Sequence, residues 1–101
     1  MALIMVTGTY PPTKQKELNK TYGAANKPAY PAGVKKMYNW VAQVTTGDYK
    51  IYAVYKCPDD KVMESLGGLT KRYNFYAQID GYKFSIELLA EAEEAVKLMA
   101  E

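Results

Sequence analysis

The 101-residue sequence contains no histidine. The usual general base, the commonest metal ligand and the proximal ligand of a globin-type haem are therefore missing. Cysteine is nearly as scarce. Cys57 stands alone, so a single chain can form neither an internal disulfide nor a four-cysteine zinc site. Long apolar runs are lacking too: no stretch approaches the roughly 18 apolar residues of a membrane span. The start, Met1-Ala2-Leu3-Ile4-Met5-Val6, has no basic flank and meets Thr7-Gly8-Thr9 too soon for a signal peptide. A soluble, cytoplasmic protein without membrane contact is expected.

A strong charge of one sign is also absent. The net charge of +2 is too mild to imply a nucleic-acid partner. Residues 1–50 carry seven basic groups against two acids, and residues 51–101 carry six against nine. This asymmetry reads either as a basic face or as a solvated surface ending in an acidic helix. Glycine-rich phosphate loops are missing as well. Gly8 and the pair Gly67-Gly68 lack the required spacings. Asp59-Asp60 are adjacent carboxylates, which point apart and suit a helix start better than a cation. No metal and no cofactor are expected.

What the chain does have is 49% hydrophobic and 13% aromatic residues, ten of them tyrosine, in 11.3 kDa. That is one domain over residues 1–101, long enough for a real core. Ala2 to Tyr10 is apolar and β-branched, and Pro11-Pro12 ends it as a strand. Thr13 reads as the N-cap of a helix to Ala25, with Leu18, Tyr22 and Ala25 as its buried stripe. Asn26 to Gly33, with three Pro/Gly breakers, is a loop. Val34–Thr45 and Tyr49–Cys57 read as strands of a hairpin around Thr46-Gly47-Asp48.

Pro58-Asp59-Asp60 opens a second helix with the stripe Val62, Leu66, Leu69 and Tyr73. Gly67-Gly68 weakens that helix by about 1 kcal/mol per glycine, which leaves room for an early break. Asn74 to Asp80 is ambiguous, Tyr82–Leu89 alternates as a strand, and Ala90–Ala100 is an Ala/Glu-rich helix. The order β-α-β-β-α-β plus a helix is the ferredoxin-like pattern, an α+β fold with an antiparallel sheet.

The turn predicts a register: Val44 with Tyr49, Ala42 with Ile51, Trp40 with Ala53, Tyr38 with Tyr55. All eight would share the apolar face under the helices. The opposite face would hold Met37, Asn39, Val41 and Gln43, with Lys50, Tyr52, Val54 and Lys56 beside them. Met5, Thr7 and Thr9, and then Lys83, Ser85, Glu87 and Leu89, would complete it. A half-apolar sheet face calls for a cover. A homodimer joined sheet to sheet is expected.

The chain resembles the dimeric α/β-barrel superfamily and, within it, a small family of a domain without assigned function. The features are a first strand closed by Tyr10-Pro11-Pro12, the run Pro31-Ala32-Gly33-Val34-Lys35, and Trp40 in the second strand. Cys57-Pro58-Asp59-Asp60 at a helix start and the acidic Glu91-Ala92-Glu93-Glu94 helix complete the set. The resemblance implies two βαββαβ units whose sheets form a barrel, often around a small-molecule cavity. Such relatives include cofactor-independent monooxygenases, lactone isomerases and haem-degrading enzymes. The lack of histidine sets this chain apart from the haem- and histidine-dependent members.

Four residues on the mixed face are candidate ligand-binding groups. Thr7, Asn39 and Tyr52 would orient a carbonyl or phenol in an apolar pocket, or hydrogen-bond across a filled interface. Glu87 would act as a general base, or form an ion pair with Lys50, Lys56 or Lys83. Cys57 beside Lys56 at a helix start is either a reactive thiolate or a small core residue. RNA recognition is disfavoured, since Tyr52 alone would be an exposed aromatic on the central strands.

The expected function is binding of a small hydrophobic or aromatic molecule, or non-catalytic assembly as a homodimer. The alternative is a cofactor-independent monooxygenase- or isomerase-like enzyme with its site in the barrel. There Glu87 would move a proton while Asn39 and Tyr52 stabilise an enolate-like oxygen.

Overall fold

The computed structural model describes residues 1–25, 29–43 and 47–99. Inward and outward positions alternate along the first strand, β1 (Ala2–Tyr10), so that Ile4, Val6, Gly8 and Tyr10 are buried. A 3₁₀ turn, Pro12–Lys14, leads into α1 (Gln15–Ala25). Thr13, the expected N-cap, sits inside this turn. Pro11 holds the cap position, where it has no side-chain oxygen to offer.

The remaining elements are β2 (Lys35–Gln43), β3 (Tyr49–Cys57), α2 (Val62–Tyr73), β4 (Lys83–Leu89) and α3 (Ala92–Met99). The strands form one antiparallel sheet in the order β2-β3-β1-β4. Each helical crossover therefore skips one strand, an α+β arrangement consistent with a ferredoxin-like fold. Leu18 from α1 and Leu69 and Tyr73 from α2 join Ile4, Val6, Ala53 and Tyr55 in one core. Both helices thus cover the same side of the sheet.

The α2 helix does not break at its glycine pair but continues to Tyr73. Gly68 is there for proximity: a Cβ at this position would collide with the Pro31 ring, which packs against the helix. The ambiguous segment forms a 3₁₀ turn, Asn74–Gln78, which buries Tyr76, and Ile79 beyond it is buried too. On α1 the inward residues are Leu18 and Thr21, whereas Tyr22 is half exposed.

The largest departure from expectation is the hairpin register. Gln43, not Val44, pairs with Tyr49; Val41 pairs with Ile51, Asn39 with Ala53 and Trp40 with Tyr52. Val44 and the turn residues Thr45 and Thr46 lie outside the described residues. The slip of one residue reverses both faces of β2. Tyr38, Trp40 and Ala42 stand on the open side of the sheet, while Asn39 and Val41 stand on the helix side. A bulge between Lys36 and Tyr38 then sets Lys36 opposite Tyr55.

The physical cause is that β2 is an edge strand that the helices leave largely uncovered. All nine of its residues are exposed or partly exposed. Burial therefore places no demand on its apolar face.

Candidate functional site

The four candidate residues do not form one site. Thr7, Tyr52 and Glu87 lie on the open face as expected. Asn39 is on the other side of the sheet, because its partner Ala53 is a core residue. On the open face Thr7 is flanked by Tyr52 and Ser85, and its Oγ1 is 2.7 Å from the Ser85 hydroxyl. The Lys50 ammonium sits 5.0 Å from the centre of the Tyr52 ring.

Glu87 faces Met5 across the ladder. It is exposed, and among the described residues it forms no ion pair with Lys50, Lys56 or Lys83. The depression lined by Thr7, Thr9, Lys50, Lys83 and Ser85 excludes both Tyr52 and Glu87, and it opens widely to solvent. Three candidates therefore share a surface without converging on one point.

A partly open pocket lies on the helix side. A cavity of about 230 Å³ sits between α1, the edge of β2 and α2. Its existence follows from the same edge position: α1 covers the sheet centre and leaves the inner face of β2 uncovered. Leu18, Ile51 and Val41 supply aliphatic walls, and Tyr22, Tyr30, Tyr55, Tyr73, Tyr76 and Tyr82 supply aromatic ones. Asn19, Asn39, Lys36 and Arg72 are its other polar lining residues.

The tyrosines form a continuous ring network. Tyr82 stacks on Tyr76 with centroids 5.2 Å apart, and Tyr73 follows at 5.7 Å. Tyr55 meets Tyr73 edge-on, and Tyr30 leans on Tyr55 at 5.7 Å. The Tyr55 and Tyr73 hydroxyls hydrogen-bond each other at 2.8 Å. Burial pushes the ionisation of Tyr55, Tyr73, Tyr76 and Tyr82 upward, and the neighbouring phenols add to the effect at Tyr55, Tyr76 and Tyr82. At neutral pH these side chains are uncharged.

Arg72 is the chain's one arginine. It is only 8% exposed, and its guanidinium carbon lies 3.8 Å from the Tyr30 ring centre. Lys36 Nζ lies 5.7 Å from the Tyr22 centroid and 6.0 Å from that of Tyr30. These are cation–π distances.

This cavity escapes the sequence reading for two reasons. The register slip hid Asn39 and Val41, and Tyr22 was assigned to the core. One signal was available: Arg72 follows Ser65 and Leu69 at i+7 and i+3, within the stripe that α2 buries. A lone arginine on a buried helical stripe needs a special environment. Cys57, by contrast, is fully buried in the core. Among the described residues no three His, Cys, Asp or Glu side chains gather to hold a metal. No described helix is long and apolar enough to cross a membrane.

No family model matches the chain, and no curated protein does. Solved structures do resemble it. A tripeptidase from Staphylococcus aureus aligns over 96% of this chain and 33% of its own, with 9% identity and a TM-score of 0.51. The de novo designed protein Foldit4 aligns over 89% and 97%, with 5% identity and a TM-score of 0.50. A formyltetrahydrofolate deformylase from Pseudomonas putida aligns over 84% and 28%, with 11% identity and a TM-score of 0.49. The chain spans about a third of each of the two enzymes. At these identities the likeness concerns the fold alone.

Proposed function

We propose that the protein is a non-catalytic binding domain for a small aromatic molecule, held in the cavity between α1, β2 and α2. The supporting observation is the lining, in which tyrosine rings and aliphatic side chains surround a few polar groups. That composition is the usual one for small-ligand sites. The volume of about 230 Å³ suits one ring with a substituent, since a cavity of roughly 150 Å³ already admits benzene. The test is a thermal-shift titration with benzamide on the parent protein and on Asn39→Trp. The large ring would fill the mouth from an exposed position without entering the core. A benzamide-dependent rise in Tm that Asn39→Trp abolishes is the expected result. The same rise in both proteins would place the ligand elsewhere.

A second reading, self-association through the open sheet face, rests on Tyr38 and Trp40. They stack at 4.9 Å yet remain 52% and 55% exposed, alongside Leu3 and the partly buried Met5 and Val54. Exposed paired aromatics of this kind favour an interface, as the resemblance to dimeric barrels implies. Native mass spectrometry should give twice 11.3 kDa, and Trp40→Lys should return the single mass. A monomer for the parent protein would sink the reading.

The enzyme reading has less support. It needs Glu87, Asn39 and Tyr52 around one oxygen, and within one chain Asn39 is on the wrong side of the sheet.

A further inference from the structure

The register that moved β2 also remakes the open face of the sheet. Cross-strand partners share a face, so the pairings set its residues in rows across the strands. Trp40, Tyr52, Thr7 and Ser85 form one such row, and Tyr38 stands in the next. Lys50 and Lys83 belong to the row on one side of these two, and Lys35 and Lys56 to the row on the other. Where the expected register offered Tyr52 alone, this face carries three aromatic residues between two lysine-bearing rows. We infer that it binds single-stranded nucleic acid, with bases on the aromatic residues and phosphates on the lysines. The inference is independent of the cavity on the helix side.

Charge supports it first. The strands place four lysines and one acid, Glu87, on this face, although the whole chain has a net charge of only +2. Among the described residues none of the four lysines forms an ion pair. A second copy would also cover the rings, but a two-fold pairing sets one lysine-rich face against another. A polyanion meets no such repulsion and gains from releasing its counterions.

The uncharged groups fit the same partner. Tyr38 and Trp40 stack at 4.9 Å and are both half exposed, so the pair presents ring surface to solvent. Bases stack on such surface with little regard to sequence. The shallow depression lined by Thr7, Thr9, Lys50, Lys83 and Ser85 combines two ammonium groups with three hydroxyls, a set that suits a phosphate. β2 and β4 form the two edges of the four-stranded sheet, about 14 Å apart. A strand of a few nucleotides therefore reaches from the stacked pair to the depression. A duplex has the charge but hides its bases from the rings.

The test is fluorescence anisotropy of a labelled oligothymidylate of about twenty nucleotides, alone and annealed to oligoadenylate. The single strand should bind at least about tenfold more tightly than the duplex. An unlabelled strand should quench the fluorescence of Trp40, the chain's one tryptophan. Trp40→Ala alters a half-exposed side chain, so the fold should survive, and it should weaken the single strand about tenfold. Trp40→Phe should restore most of the loss. Lys83→Gln should weaken binding several-fold and lower the slope of log affinity against log salt by about 0.7. Lys71→Gln, exposed on α2, should change neither.

Binding of the duplex as tightly as the single strand would mean that charge alone attracts the probe, and would overturn the inference. Equal losses in Lys71→Gln and Lys83→Gln would overturn it by moving the contact off the sheet. Failure of the single strand to bind would overturn it outright. Sedimentation of the same samples would then show whether a second copy occupies the face.

Discussion

The two sides of this sheet use the same residue type in opposite ways. Under the helices, Tyr10, Tyr55, Tyr73, Tyr76 and Tyr82 are buried core residues, packed ring to ring with Phe84 beside Tyr73 and Tyr82. On the open side, Tyr38 and Trp40 stack on each other and on little else. The difference is cover. Two helices fix the inner rings in a closed network whose geometry is set by packing. The outer pair sits near an edge with one side in solvent, where the gain from stacking is about 0.5–1.5 kcal/mol. Tyrosine composition alone therefore says nothing about burial; the position relative to the helices does.

Alkaline pH should break the comparison most strongly. Burial raises the ionisation of Tyr10, Tyr55, Tyr73, Tyr76 and Tyr82 above that of a free phenol. The folded state therefore keeps protons that the unfolded state releases above a pH of about 10. The associated stability is fully present below that pH and falls as pH rises through the raised folded values. Each tyrosine that resists ionisation removes about 1.4 kcal/mol of stability per pH unit in that window. Phenolate absorbance from the five buried rings should rise only together with loss of circular dichroism. Their ionisation in protein that keeps its native circular dichroism would show that the inner network is open to solvent.

Truncation of one ring on each side should separate the faces next. Tyr73→Ala removes a core ring that touches Tyr55, Tyr76 and Phe84 and should cost about 3–5 kcal/mol in denaturant unfolding. Trp40→Ala removes a larger but half-exposed ring, and in a single chain should cost about 1 kcal/mol or less. A cost for Trp40→Ala that grows with protein concentration would mean that a second copy supplies the missing cover.

How legible these faces were in the sequence depends on the strand. β1 and β3 were readable to the residue, because both are central and their alternation is enforced by burial on one side. β2 was read one residue out of register. Its apolar residues, Tyr38, Trp40 and Ala42, looked like a core face, but no helix lies over the edge to bury them. That one slip moved Asn39 to the wrong site and hid the cavity. The stripe of α2 was read through Tyr73, with Gly67-Gly68 as a point where low propensity allows an early break. The approach of Pro31 to Gly68 shows why tertiary packing outweighed about 1 kcal/mol per glycine.

The smallest effect is the most informative about the inner network, since it turns on single hydroxyls rather than rings. Tyr55 and Tyr73 satisfy each other with a 2.8 Å hydrogen bond, whereas the buried Tyr82 Oη has no partner among the described residues. Tyr55→Phe should thus leave the Tyr73 hydroxyl short of its partner and cost about 1–2 kcal/mol. Tyr82→Phe keeps the stacking on Tyr10 and Tyr76 and deletes only the unpaired group, so it should be neutral or stabilising by up to about 1 kcal/mol.

Gly8 sharpens the contrast. A Cβ there would lie 2.5 Å from Tyr82 Oη and 3.0 Å from its Cζ. The ring is clamped between Tyr10 and Tyr76 and cannot easily yield. Gly8→Ala should destabilise the parent protein, and Tyr82→Phe should relieve part of that loss because the closer of the two contacts disappears. Opposite signs for Tyr55→Phe and Tyr82→Phe would show that the network is held by ring packing plus one hydrogen bond. A loss of stability in Tyr82→Phe would instead mean that a water reaches its hydroxyl through the cavity, making the inner face wetter than its rings suggest.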